Sequence, residues 1–144
     1  MKITYLAAAF AAVTLVACGQ SGEEGGEDAS LKRACMKIEA DPGPAQYVDD
    51  AGIEFEAFCD CLSSRILALP EADQAEASAA LLAVTDAMGA DKNNTEDIVN
   101  NIRMRGEADD ASEEDKVLAG SVDELGDLIG ETIAALENGG TCPA

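Results

Sequence analysis

Four cysteines carry the chemistry that the main body of this sequence could perform: Cys35, the closely spaced Cys59-Asp60-Cys61, and Cys142. A Cys-x-Cys pair can cycle between dithiol and disulfide, and four thiolates can hold zinc. Both uses need thiolates, which nearby cations or a helix N-terminus favour. Here Glu54, Glu56 and Asp60 crowd the pair with negative charge instead. The spacing also lacks the Cys-x-x-Cys knuckles usual in zinc sites. The favoured reading is that all four are structural, with a thiol-redox or metal-binding module at Cys59 and Cys61 as the alternative.

Other catalytic groupings are scarce. The chain has no histidine, which removes Ser-His-Asp and Cys-His arrangements, histidine bases and the common zinc ligand sets. It has no Ser-x-x-Lys and no Gly-rich phosphate loop. With 29 Asp and Glu a close carboxylate pair is inevitable and uninformative, and sugar chemistry would need more aromatics than three Phe and two Tyr. Asp91-Lys92-Asn93-Asn94-Thr95 resembles the start of an EF-hand loop, but Glu96 stands where that loop needs Gly and Ile102 where it needs a bidentate Glu. No enzyme activity, cofactor or resident metal is expected.

The N-terminus sets the context. After Lys2, an apolar run from Ile3 to Val16 leads to small residues before Cys18, the pattern of an export signal. A membrane span needs about 20 apolar residues; this run is shorter and is interrupted by Thr4, Tyr5 and Thr14. Leu15-Val16-Ala17-Cys18 resembles the lipobox of bacterial lipoproteins. That resemblance implies that residues 1–17 are a signal peptide and that Cys18 becomes the N-terminus, carrying acyl chains such as palmitate. Residues 18–29 are Gly-rich and acidic and read as a flexible spacer, leaving 30–144 as the domain. Gly19, where many lipoproteins retained at the inner membrane have Asp, points by analogy to the outer membrane, facing the periplasm.

An exported chain meets an oxidising compartment, so the four remaining cysteines are expected to form two disulfides. Three pairings are possible. Cys59 and Cys61 are poor partners for each other, because side chains two apart on a helix diverge. Cys59 lies in the apolar stripe Phe55, Phe58, Cys59, Leu62, Ile66 and Leu69, whereas Cys61 is turned about 200° away. One link inward and one to the C-terminal tail would follow, favouring Cys35–Cys59 and Cys61–Cys142.

The elements that must position these residues are all helical. Leu31, Ala34, Cys35 and Ile38 share one face of a helix from about Ser30 to Glu39, which Asp41-Pro42-Gly43-Pro44 should stop. A second helix is expected from Gln46 or Asp49 to Leu69. A third opens at Pro70, buries Ala77, Leu81, Val84 and Met88, and ends at Gly89. Asn94 should cap a fourth, with Ile98, Val99 and Ile102 inside, Arg103 and Arg105 at its C-terminal end and Gly106 as its stop. Ser112 and Asp115 should cap the longest, whose stripe is Leu118, Val122, Leu125, Ile129, Ile133 and Leu136 and whose end is Asn138-Gly139-Gly140. The fold class expected is an all-α bundle of four or five helices, disulfide-stapled.

Gly120, Gly126 and Gly130 weaken that last helix, which close approach of a neighbouring helix would explain; a docking groove is the alternative. Lys92, Arg103 and Arg105 could form a small basic spot. The formal net charge of −20 argues against nucleic acid and anionic lipid headgroups as partners. The function expected is a tethered, non-enzymatic envelope lipoprotein binding a protein partner, and the acidic surface suits a basic one. The alternative is an inhibitor or immunity-type protein that masks a basic enzyme or toxin. The oligomeric state is left open.

Overall fold

A computed structural model of the chain describes residues 26–91 and 94–142. The signal peptide, Cys18, most of the spacer, Lys92, Pro143 and Ala144 lie outside the described residues. Six helices follow one another, with no strand among the described residues: α1 Glu27–Ile38, α2 Pro42–Asp50, α3 Phe55–Leu67, α4 Glu71–Asp91, α5 Thr95–Glu107 and α6 Glu113–Gly139. The all-α, disulfide-stapled bundle stands, with one more helix than expected.

The helix ends are where the sequence reading needs correction. α1 begins at Glu27, not Ser30, so the spacer's last three residues are helical. Glu27 and Asp28 sit in its first turn, where the positive end of the dipole favours carboxylates. Asp41-Pro42-Gly43-Pro44 starts a helix as well as ending one. Asp41 is extended, as a residue before Pro prefers, and its side chain accepts the Gly43 N–H at 3.1 Å. Both prolines then fall in the first turn of α2, where a missing N–H costs nothing because those donors have no partner within the helix.

The single helix expected from about residue 46 to Leu69 is two. Gly52 takes a left-handed φ of 71°. Its N–H bonds Asp49 O at 2.8 Å, and the Ile53 N–H bonds Val48 O at 3.2 Å. That pattern closes α2 as a Schellman motif and turns the chain into α3. Gly89 and Gly106, expected as stops, are both passed: α4 runs to Asp91 and α5 to Glu107. The remaining caps are as read. Asn94 accepts the Asp97 N–H, Ser112 accepts the Asp115 N–H, and left-handed Gly140 ends α6 with its N–H on Leu136 O at 2.8 Å.

α1 packs on α3 and α4, while α6 packs on α3, α4 and α5. α1 and α4 run parallel, joined by Gln74–Glu27 at one end and Lys37–Asp86 at the other. The core is aliphatic and small: Leu31, Leu62, Ile66, Ala80 and Leu81 are almost wholly covered, and Phe58 is the one buried aromatic among the described residues. Ser63, Thr85, Ser121 and Thr132 are buried too, each hydroxyl donating to the carbonyl four residues earlier. Small hydroxyls satisfied within their own helix can sit in a helix contact as Ala does. No helix among the described residues is long and apolar enough to cross a membrane.

Candidate functional site

The cysteines meet on α3. Phe58, Cys59, Leu62 and Ile66 form its buried face, which turns Cys59 onto α1. The structure bonds Cys35 to Cys59 and Cys61 to Cys142, the pairing favoured on helix phase. Cys35 and Cys59 are fully buried between the two helices. Cys61 faces away from that stripe, yet it is only 3% exposed, because the tail beyond Gly140 lies over it. Cys142 itself is exposed. All four cysteines of the domain are therefore disulfide-bonded in this structure.

Asp60, between the two bonded cysteines, points outward. Lys32 on α1 bridges it at 2.6 Å and Glu56 at 2.9 Å. Hydrogen bonds to Asp60 first, then to Glu56, hold the Lys32 pKa above the ordinary lysine value. The negative charge around Cys-x-Cys is thus partly answered by a cation that sequence spacing alone does not bring there. On the other side of α3, Arg65 reaches α6, giving one N–H to Thr132 Oγ1 at 3.0 Å and another to Glu131 Oε2 at 2.7 Å. α3 is therefore tied on two sides, by a sulfur bond to α1 and a guanidinium bridge to α6.

The basic spot does not assemble. Arg103 pairs with Asp123 at 2.6 Å and Arg105 lies 3.9 Å from Asp115, so both serve the α5–α6 contact, and Lys92 is outside the described residues. Close approach is not what places Gly120, Gly126 and Gly130 either. A Cβ on any of them would meet nothing within 4 Å. Gly106 is the close-contact glycine: a Cβ there would come within 2.5 Å of the Ala119 Cβ and 2.9 Å of Asp115 O.

Sequence reading took Asp41 only as part of a helix stop and missed its bridging role. Its carboxylate, nearly buried, accepts Gly43 N–H with Oδ1 and the Thr95 N–H with Oδ2 at 2.6 Å. Its place before Pro42 signals the first role; nothing in the sequence signals the second, across 54 positions. Together these contacts tie the helices of a small bundle in a chain of formal net charge −20. No protein-family model, curated protein or solved structure matches this chain.

Proposed function

We propose that this chain is a lipid-anchored protein of the bacterial cell envelope, tethered through Cys18 at the outer membrane and facing the periplasm. Its helical domain is an interaction module that binds a protein partner and does no catalysis. Two disulfides in a small domain directly behind an export-type leader carry this reading, since such bonds persist where the compartment is oxidising. The leader supplies the address: Leu15-Val16-Ala17-Cys18 has the residue types that precede lipidation. A domain so rich in Ala, with few aromatics, gains from such cross-links. In the chain-entropy account, loops of 24 and 81 residues contribute about 3.5 and 4.5 kcal/mol.

The test is mass spectrometry of the membrane-extracted protein, alkylated without reductant and peptide-mapped. The expected result is an N-terminal Cys18 bearing acyl chains, with Cys35, Cys59, Cys61 and Cys142 unalkylated. An unmodified N-terminus elsewhere would refute the anchor, and alkylated Cys59 or Cys61 would restore redox or metal chemistry. A second reading, masking of a basic enzyme or toxin, is favoured by the charge of −20. It predicts capture of a basic partner that is lost in high salt.

A further inference from the structure

One surface is explained neither by the core nor by the disulfides. α4 is apolar on two sides. Ala77, Ala80, Leu81 and Val84 face the interior, while Ala75, Ala79 and Leu82, at i, i+4 and i+7, face solvent. Antiparallel α6 lays Val117 and Leu118 alongside Ala75 and Ala79, forming an open groove of about 470 Å³. Val117 is 53% exposed and Leu82 38%, large values for branched apolar side chains. Glu76, Glu113 and Glu114 stand on the groove's edges. Glu113 is held by Lys116 of its own helix at 2.8 Å, whereas Glu76 and Glu114 face no cation among the described residues.

We propose that this groove docks an amphipathic helix of a basic protein partner. The partner's apolar face would rest on Ala75, Ala79, Val117 and Leu118, and flanking Lys or Arg would reach Glu76 and Glu114. A trough between two antiparallel helices accepts a third helix by packing its ridges, and alanines four apart let that helix come close. Charge selects the occupant. A second copy would press like-charged rims together, each on a chain of net charge −20. The spacer offers Gly, Glu and Asp and nothing apolar larger than Ala, so it cannot fill the groove. This inference rests on the interaction-module reading and names the chemistry of its partner.

The test uses the chain from residue 18 onward, with Cys18→Ser so that it stays in water. The probe is a synthetic helix of about five turns with Ala and Leu on one face and Lys and Arg flanking it. Amide chemical shifts should move along Ala75–Leu82 and Glu114–Ser121. Ala79→Glu and Val117→Glu, both at exposed positions, should weaken binding by about tenfold although they add negative charge. Glu76→Gln with Glu114→Gln should weaken it less and reduce its salt dependence. Equal binding by the Glu variants, shifts spread over the whole acidic surface, or no binding would overturn the groove. So would concentration-dependent dimerisation abolished by Val117→Glu, which would make a second copy the occupant. Spread-out binding would leave the acidic interaction module standing, and the state of Cys18 is read separately by mass spectrometry.

Discussion

The carboxylate of Asp41 satisfies orphan N–H donors at the start of two helices, α2 through Gly43 and α5 through Thr95. Burial acts to raise its pKa. The hydrogen bonds from the Thr95 backbone and side chain and from Gly43 outweigh that effect and hold the carboxyl below the usual carboxylate range. A carboxylate with a lower pKa folded than unfolded stabilises above its unfolded value of about 4 and loses that contribution as pH falls through the folded value. Asp41→Asn keeps one acceptor and turns an amide N–H₂ toward a donor. It is expected to cost about 1–2 kcal/mol at neutral pH. Protonating the native carboxyl removes an acceptor in the same way, so the gap between wild type and variant should close below about pH 4. Urea unfolding across pH measures it; a gap that widens in acid would contradict the bridge.

Between elements, the α5–α6 contact is set by one glycine and two arginines. Gly106 lets α5 lie against Asp115 and Ala119, where a methyl group would meet backbone that cannot move aside. Gly106→Ala should therefore cost about 1–2 kcal/mol, overpacking exceeding the gain in helix propensity. At Gly120, Gly126 and Gly130 the added Cβ meets open space, so Ala at each should stabilise by about 0.5–1 kcal/mol. The same substitution changes sign with location along one helix pair. Thermal melts of the four single variants separate the two cases, and a neutral or stabilising Gly106→Ala would mean the helices yield at that crossing.

Across the whole molecule, the excess of 29 acidic over 9 basic residues sets up repulsion that the ion pairs relieve only locally. Lys32, Lys37, Arg65, Arg103, Arg105 and Lys116 all have carboxylate partners, but the carboxylates of these pairs are largely exposed. Such pairs contribute about 0–1 kcal/mol each and are screened together with the repulsion. Net repulsion should dominate, so raising NaCl from low to physiological concentration is expected to raise the melting midpoint by about 5 °C. A fall would show that the cross-helix pairs around Lys32 and Arg103 outweigh the global charge. The same screening should weaken long-range attraction of a basic partner while leaving the apolar contact in the α4–α6 groove.

Helical periodicity is local, and it was enough to place the buried faces. Leu31, Ala34, Cys35 and Ile38 on α1, Ala77, Leu81 and Val84 on α4, and Val122, Leu125 and Ile133 on α6 are buried as their spacing requires. The same phase separated Cys59 from Cys61 and so favoured the pairing that the structure contains. Caps with their own side-chain signature, Asn94 and Ser112, were equally legible. What the residues alone left undecided depends on contacts far apart in the chain. Pro42 and Pro44 break a helix or begin one according to whether a cap precedes them. Gly52 ends α2 because its φ is positive, while Gly89 and Gly106, the same residue type, do not end theirs. The burial of Asp41 beneath α5, the reach of Lys32 to Asp60 and of Arg65 to Thr132, and the crossing at Gly106 arise only once the helices pack. Spacing of 3.6 residues per turn determines which residues share a side of each helix; which apolar side of α4 is buried, and the order, angle and closeness with which the six helices meet, are decided by tertiary packing, and that packing also leaves the α4–α6 groove open.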